Sequence, residues 1–343
     1  MKHLKNIPLY FIAICYSFTA IGQDFHFSQF SAAPTSLNPG TTGAFDGKQR
    51  VVVNYKDQWR SITNPYTTFA GSFDMAIMRD KITNGSVGVG LSFFSDKAGD
   101  LDFSTNSFLF SIAANKSIDD KNNFSLGIQG GLAQRGIIGD VSKQQWGNQY
   151  VSGYGYDQNT TTGEDALMEN FIYGDFSAGL YWRFTGNKMK HHAGISAFHL
   201  NMPSQSFYKE SDKLNARLLF HGGSEFMIGE SKIGLLPQYL FMKQGPQIEN
   251  NAGMLVKYVL DENPTKGGYI TETAVFIGGW HRFGDAAIAM ARVDHRNISV
   301  GISYDFNLSS LKQVSSGQGG IEISLTTIFP LPPPKRKAKR SLM

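Results

Sequence analysis

The feature that most constrains this chain is an alternation of apolar residues with small or polar ones, repeated over long segments. In residues 297–310 (NISVGISYDFNLSS), apolar side chains occupy every second position from Ile298 to Leu308. A period of two predicts a β-strand with one apolar and one polar face. The apolar face can pack inward in a soluble sandwich or face lipid in a barrel, and the local pattern fits both.

Similar patterns recur along the chain and predict about fourteen strands. Their approximate bounds are 50–58, 66–78, 86–95, 103–116, 123–134, 171–185, 191–200, 216–228, 231–242, 248–260, 269–282, 286–293, 298–308 and 320–329. Many run to about 11–15 residues, whereas soluble strands are usually ~5–6 residues long and a tilted transmembrane strand needs ~9–11. Strand length therefore favours a membrane barrel.

The polar faces of these strands carry charged and amide side chains, whereas a soluble sandwich would have to bury the apolar faces against each other. The charged and amide residues are Asn54, Lys56, Asp175, Arg183, Asp305, Asn307 and Glu322. A closed sheet with a polar lumen and an apolar outer face accommodates them. The predicted fold class is therefore all-β: a transmembrane outer-membrane β-barrel of about 14 antiparallel strands, with a short non-barrel N-terminal segment. The apolar face of 298–308 is predicted to meet acyl chains.

The lengths of the connections give an orientation. The long gaps, near 135–170, 201–215 and 309–319, follow the fifth, seventh and thirteenth strands, and the gaps after even-numbered strands look shorter. Outer-membrane barrels have short periplasmic turns and longer outer loops. With the N-terminus in the periplasm, the pattern predicts that residues 138–170 form an exposed outer loop.

The beginning of the chain is typical of a secretory signal peptide. Lys2 and Lys5 precede a mostly apolar run over residues 7–21, and Ala20-Ile21-Gly22 offers small residues at a cleavage site. We predict cleavage before Gln23. The apolar run is shorter than the ~20 residues of a spanning helix. Cleavage removes the single cysteine, Cys15, so the mature chain has no disulfide and no thiolate site.

The sequence divides into four predicted parts. Residues 1–22 are the signal peptide, 23–47 an N-terminal periplasmic or luminal segment, 48–329 the β-barrel and 330–343 a basic, Pro-rich periplasmic tail. The net charge is +4, but several of the positive residues belong to the signal and the tail. The remaining body is slightly acidic, which argues against a nucleic-acid-binding protein.

The sequence contains only weak candidates for a catalytic or metal-binding site. His191 and His192 fall on opposite faces of one strand, and His199 lies seven residues further on. The acidic residues of SDKAGDLD do not have the spacing of a calcium-binding EF-hand loop. His281 and Asp285 have no neighbouring serine or second carboxylate. We predict no enzyme, no catalytic or metal site and no cofactor.

Motifs at the beginning, in the middle and at the end of the chain form a recognisable series. They are the opening QDFHFSQF, LNP, VVVNYKDQWRSI and YTTFAGSFD, the internal HAGISAFHLNMPSQSF and the closing VGISYDFNLSSLKQVSSGQGGIEISLTTIF. Together they resemble the PorP/SprF family, outer-membrane proteins of the type IX secretion system in Bacteroidetes. The candidate partner-contact or family-motif positions are Gln29, Phe30, Asn38, Pro39, Asn54, Gln58, Trp59, Tyr304, Asp305 and Glu322. The sequence departs from the family pattern at NPGTTGAFDG and in its basic tail.

The resemblance implies a non-enzymatic barrel that helps export or anchor cargo proteins with C-terminal secretion domains, gliding adhesins among them. Its implied partners are the secretion machinery, the cargo and outer-membrane lipid, with no nucleic acid. Two other functions remain open from the residues themselves: a pore for small solutes, and a secreted soluble β-sandwich adhesin. A filled lumen would disfavour the pore, and residues 23–47 are long enough to fill it.

Overall fold

The computed structural model describes residues 24, 26–62, 64–99, 102–137, 146–161, 170–205, 213–264, 270–310 and 312–330. The predicted signal peptide and nearly all of the predicted basic tail lie outside these residues. Cleavage before Gln23 and the role of the tail therefore stay predictions.

Sixteen strands and two short helices lie in the described part of the chain. The strands are β1 (Gln49–Gln58), β2 (Tyr66–Ile77), β3 (Gly85–Ala98), β4 (Phe103–Ser117), β5 (Asn122–Ile137), β6 (Tyr150–Val151), β7 (Gly155–Tyr156), β8 (Phe171–Thr185), β9 (Met189–Phe198), β10 (Arg217–Met227), β11 (Ile233–Gln244), β12 (Gln247–Pro264), β13 (Ile270–Arg282), β14 (Ala286–His295), β15 (Ile298–Asn307) and β16 (Gln318–Phe329). The helices are α1 (Pro34–Leu37) and α2 (Lys312–Ser315), and 3-10 turns span Phe30–Ala32, Pro39–Thr41 and Gly147–Gln149. None of the described helices is both long and apolar enough to cross a bilayer.

Fourteen of the described strands close into one antiparallel barrel. Strands β1–β5 and β8–β16 pair with their neighbours in chain order, and β16 returns to pair with β1. The short strands β6 and β7 form a separate hairpin in the loop between β5 and β8. The predicted fold class, a 14-stranded outer-membrane barrel, is confirmed, and each predicted segment overlaps one barrel strand. Strand β9 ends at Phe198 rather than residue 200, because His199 adopts a left-handed backbone with φ of 55°.

The faces of the strands follow the predicted alternation. In β15, Ile298, Val300 and Ile302 are exposed on the outer surface, whereas Ser303 and Asp305 are buried inside. An exposed apolar outer face suits hydrocarbon, and the buried polar face lines the lumen.

The connections separate the two ends of the barrel. The chain between β5 and β8, between β9 and β10 and between β15 and β16 is long, and all three connections lie at the same end, which we call the long-loop end. The opposite end, which we call the short-turn end, carries connections such as the two-residue turn between His295 and Ile298. The placement of residues 138–170 outside the cell stays a prediction, and 138–145 and 162–169 lie outside the described residues.

An arginine substitution on the outer face should depend on depth. Leu180, in the central part of β8, is 58% exposed, and Ile172, near the end of the same strand, is 67% exposed. In a bilayer, Leu180→Arg should cost about 2–4 kcal/mol and Ile172→Arg about 0–1 kcal/mol. Denaturant unfolding in lipid vesicles measures both, and equal costs would contradict a lipid-facing surface.

Candidate functional site

The N-terminal segment fills the lumen. Residues 24 and 26–47, which we call the plug, enter beside residues of the long-loop end and leave at the short-turn end, where β1 begins. Asp24 contacts His199, Arg217 and Gln244 at the long-loop end. The plug is rich in Pro, Gly, Ser and Thr, so it forms short turns rather than a strand. Its backbone polar groups must therefore find partners in the barrel wall.

Two consecutive backbone amides of the plug bind one carboxylate of the last strand. The N–H groups of Ser28 and Gln29 donate to Oε2 and Oε1 of Glu322, at 2.7 and 2.9 Å. Across the closing pair of strands, Lys56 of β1 stands directly opposite Glu322 and donates from Nζ to the carbonyl oxygen of His26 at 2.7 Å. The plug thus bridges the two strands that close the barrel. We call these five residues the seam latch.

The side chain of Gln29 extends the latch along β15 and β16. Its Nε2 donates to Oγ of Ser303 at 3.2 Å and to the backbone oxygen of Glu322 at 3.0 Å. Its Oε1 accepts from Oγ of Ser324 at 2.7 Å. Both ends of the buried amide are therefore satisfied, which a hydrophobic replacement could not reproduce.

Ser28 links the plug to a charged pair of the wall. Its hydroxyl donates to Oδ2 of Asp305 at 2.6 Å and accepts from the guanidinium of Arg282 at 2.7 Å. Arg282 also donates directly to Asp305 at 3.2 Å. Burial of two charges is costly unless each is paired and hydrogen-bonded, and the serine supplies part of that pairing.

Asn38 fixes the middle of the plug. Its Nδ2 donates to the backbone oxygen of Leu180 at 2.8 Å, while its Oδ1 accepts from the N–H of Gly40 at 2.7 Å. Glycines occupy wall positions that the plug approaches closely. A Cβ at Gly179 would lie 2.0 Å from Oδ1 of Asn38, and a Cβ at Gly127 would lie 2.3 Å from the backbone oxygen of Pro39. These wall positions accept the plug only because they lack side chains.

A second anchor holds the plug nearer the short-turn end. Asp74 of β2 accepts from the N–H of Gly43 at 2.8 Å and from Nε and an Nη of Arg50 at 2.9 and 2.8 Å. The same guanidinium donates to the oxygen of Thr41 at 3.0 Å. Bidentate pairing of this kind is both strong and directional.

At the long-loop end a histidine joins the plug to the wall. His199 contacts Asp175 of β8 through Nδ1 at 2.9 Å and Asp24 of the plug through Nε2. Burial alone would lower the pKa of His199, but the hydrogen bonds to Asp175 and Asp24 raise it to about 9. Burial would likewise raise the pKa of Asp24, but the hydrogen bonds with His199 and Gln244 and the charges of His199 and Arg217 together hold that pKa below its usual range. The contact is therefore an ion pair at neutral pH.

The structure brings several of the positions named from the sequence together and separates others. Gln29, Phe30, Asn38 and Pro39 belong to the plug, and Phe30 packs edge-on against Trp280 of the wall with ring centroids 6.0 Å apart. Glu322 and Asp305 are the wall residues that hold Ser28 and Gln29.

The remaining named positions lie elsewhere. Asn54 is buried on the luminal face of β1, Gln58 and Trp59 line a cavity at the long-loop end, and Tyr304 packs against Phe306 on the outer face. Sequence reasoning missed Ser28, Arg50, Asp74 and Arg282. For Arg50, Asp74 and Arg282 the available signal was their charge at luminal strand positions, because a buried charge needs a partner.

The histidines considered from the sequence have separate environments. His191 contacts Phe184 and Phe226 on the outer face, and His192 faces the lumen beside Tyr181. Among the described residues, no group of three His, Cys, Asp or Glu side chains is placed to hold a metal.

The seam latch should weaken when Glu322 loses its charge. In Glu322→Gln one of the two acceptors becomes an amide nitrogen, so either Ser28 or Gln29 loses its partner. Charged hydrogen bonds are worth about 1.5–3 kcal/mol, so the plug should open at least about tenfold more often. Chymotrypsin cleavage after the buried Phe27 and Phe30 reports this opening, because cleavage follows the open population.

The matched control is Glu230→Gln, since Glu230 is exposed and pairs only with the exposed Lys188 among its described ion pairs. Cleavage of this control should equal that of the parent protein. Unchanged cleavage in Glu322→Gln, with the barrel still folded, would show that the latch does not hold the plug.

The His199 contact should respond to alkaline pH. The pKa of His199 is raised to about 9. The stabilisation that its ion pair gives the folded state is therefore complete below about pH 6.5 and is lost as the pH rises through 9. Without residues 1–22 the chain has no cysteine, so the substitution His26→Cys introduces a single labelling site. A nitroxide attached there reports only on the end of the plug near Asp24. Its mobility should rise between pH 8 and 10. In His199→Gln the label should already be mobile at pH 7, and a pH-independent signal in the parent would refute the ion pair.

Comparison with solved structures returns membrane barrels at low identity. The toluene transporter TbuX of Ralstonia pickettii has a TM-score of 0.46 and 11% identity, over 87% of this chain and 94% of that one. The CymD monoaromatic hydrocarbon channel has a TM-score of 0.42 and 11% identity, over 89% and 94%. BamA from Haemophilus ducreyi lacking POTRA domains 1–3 has a TM-score of 0.43 and 10% identity, over 83% and 70%. No functional parallel follows from likenesses at this level.

No curated protein matches the sequence. A family model does, and it extends over nearly all of the barrel and the plug. The model is that of the type IX secretion system membrane protein PorP/SprF, and it matches residues 19–326. The chain therefore belongs to the PorP/SprF family of type IX secretion system membrane proteins.

Proposed function

We propose that this protein is a non-enzymatic, plugged outer-membrane component of the type IX secretion system. It assists the export or surface anchoring of cargo proteins that carry C-terminal secretion domains, gliding adhesins or similar. It reaches the outer membrane after its signal peptide is cleaved before Gln23. Its partners are the secretion machinery, the cargo and the surrounding lipid.

The filled lumen is the observation that carries this proposal. A solute pore needs a continuous aqueous path, whereas here the plug crosses the lumen from one end to the other. It is anchored by Glu322, Asn38, Asp74 and His199 at successive depths. Charged and bidentate contacts of this kind hold a segment more firmly than neutral ones do. A barrel closed in this way is suited to holding partners rather than to conducting solutes.

The surroundings of the histidine and aspartate considered from the sequence also support a role without catalysis. His281 packs edge-on against Phe283 with ring centroids 4.8 Å apart. Asp285 pairs with Arg282, which belongs to the network around the plug. Within the described residues, these contacts engage the two side chains with an aromatic ring and a guanidinium rather than with a nucleophile.

Deletion of the gene tests the proposal in cells. We expect a specific large surface protein to remain unexported or to be lost into the medium, while uptake of small solutes stays normal. Mass spectrometry of surface and medium fractions, with growth on single carbon sources, measures both. Intact cargo with reduced permeability would instead identify a pore.

Reconstitution tests the closed lumen separately. In planar bilayers the full mature chain should show no steady conductance, and a variant without residues 24–47 should conduct, because no barrel strand is removed. Heat-modified gel migration checks that the shortened barrel has folded. Steady conductance through the full chain would contradict the proposed closed state.

A further inference from the structure

A cavity lies above the plug at the long-loop end. Its volume is about 380 Å³, and the plug residues Asp24, His26 and Ser36 contribute to its wall. Strands β3, β4, β5 and β8 supply much of the remainder. Sites for small molecules usually measure about 300–1,000 Å³ and combine apolar walls with a few polar groups. The cavity has the size of such a site.

One buried amide in its wall makes no hydrogen bond within the described structure. Gln129 of β5 lines the cavity and is only 3% exposed, yet neither its Oε1 nor its Nε2 makes a hydrogen bond within the described structure. A buried polar group without a partner costs about 1–3 kcal/mol. The amide therefore offers an adjacent donor and acceptor that a ligand can satisfy.

The charged groups of the wall are engaged with protein partners. His199 lies between Asp24 and Asp175, and Asp96 accepts a hydrogen bond from Thr68 at 2.6 Å. The side chain of Arg135 donates to Gln205. Three carboxylates stand beside three cationic side chains in this wall, so the cavity offers no concentrated charge of one sign. Its chemistry favours a neutral polar ligand.

Two aromatic rings line the cavity beside the connection from β1 to β2. Trp59 and Tyr66 meet edge-on with ring centroids 4.8 Å apart, and both line the cavity. Trp59 adopts a left-handed backbone with φ of 60°. This conformation is unfavourable by about 1–2 kcal/mol for a residue with a side chain, and such strain clusters at ligand sites. The flat faces of the rings can cover the C–H face of a cyclic ligand.

We propose that this cavity binds a neutral sugar ring with two vicinal hydroxyl groups. One hydroxyl donates to Oε1 of Gln129 and its neighbour accepts from Nε2. A trans peptide group fits less well, because its N–H and C=O point in opposite directions and a single primary amide can meet only one of them. Free saccharides and glycans attached to a larger molecule share this ring chemistry.

The test is a titration of the mature full-length protein followed by tryptophan fluorescence and calorimetry. The detergent must lack a sugar headgroup, since alkyl maltosides would compete. The probes are the methyl α-glycosides of glucose, galactose and mannose, with trialanine as a peptide. We expect saturable binding of at least one glycoside and none of trialanine. The same glycoside, free or coupled to a carrier protein, distinguishes a free sugar from an attached glycan.

The variant Gln129→Met removes both hydrogen-bonding atoms at nearly constant volume, so no unsatisfied polar atom remains at this position. It should bind the glycoside at least about tenfold more weakly. The control is Gln134→Met, on the same strand but on the outer face, which should bind as the parent does. Three results would overturn the proposal. They are equal affinity in Gln129→Met, no binding of any of the three glycosides, and binding of trialanine instead of the glycosides.

Discussion

Backbone hydrogen bonding in a medium without water is the constraint on which the rest of this structure depends. Every N–H and C=O group in the hydrocarbon layer needs a protein partner, and a closed sheet supplies them all. Closure forces the first strand to pair with the last, from Gln49 opposite Phe329 to Gln58 opposite Gly320. The first and last strands of the barrel therefore lie side by side, and Lys56 and Glu322 of this pair also hold the plug.

The polar lumen and the plug are mutually dependent. Arg50, Asp74, Arg282 and Asp305 are all buried, and ions in such places are tolerated only when they are paired and hydrogen-bonded. The plug supplies part of that solvation through the amide of Gly43 and the hydroxyl of Ser28. Without it these groups would have to be hydrated. The segment thus belongs to the interior of the folded protein in the same sense as a conventional core.

The strands of the barrel could be predicted from the sequence because the alternation that identifies each strand lies within that strand. A period of two places Ile302 and Ser303 on opposite faces whatever the distant residues are, and all fourteen predicted segments correspond to strands. The path of the plug could not be predicted in this way. Its contacts join residues far apart, as between Ser28 and Glu322, which are 294 positions apart. The residues 23–47 have no period to assign them a face, and their conformation is set by the wall, including the missing side chains at Gly127 and Gly179.

The direction of the plug changes the topology that an even strand count would give. With fourteen strands, β1 begins and β16 ends at the same rim, as the pairing of Gln49 with Phe329 shows. The plug carries the chain from Asp24, beside Gln244 and His199, across to that rim before the first strand starts. Counted as crossings, the described part of the chain makes fifteen passes between its two rims. Asp24 and the end of β16 at Phe329 consequently lie at opposite ends of the barrel.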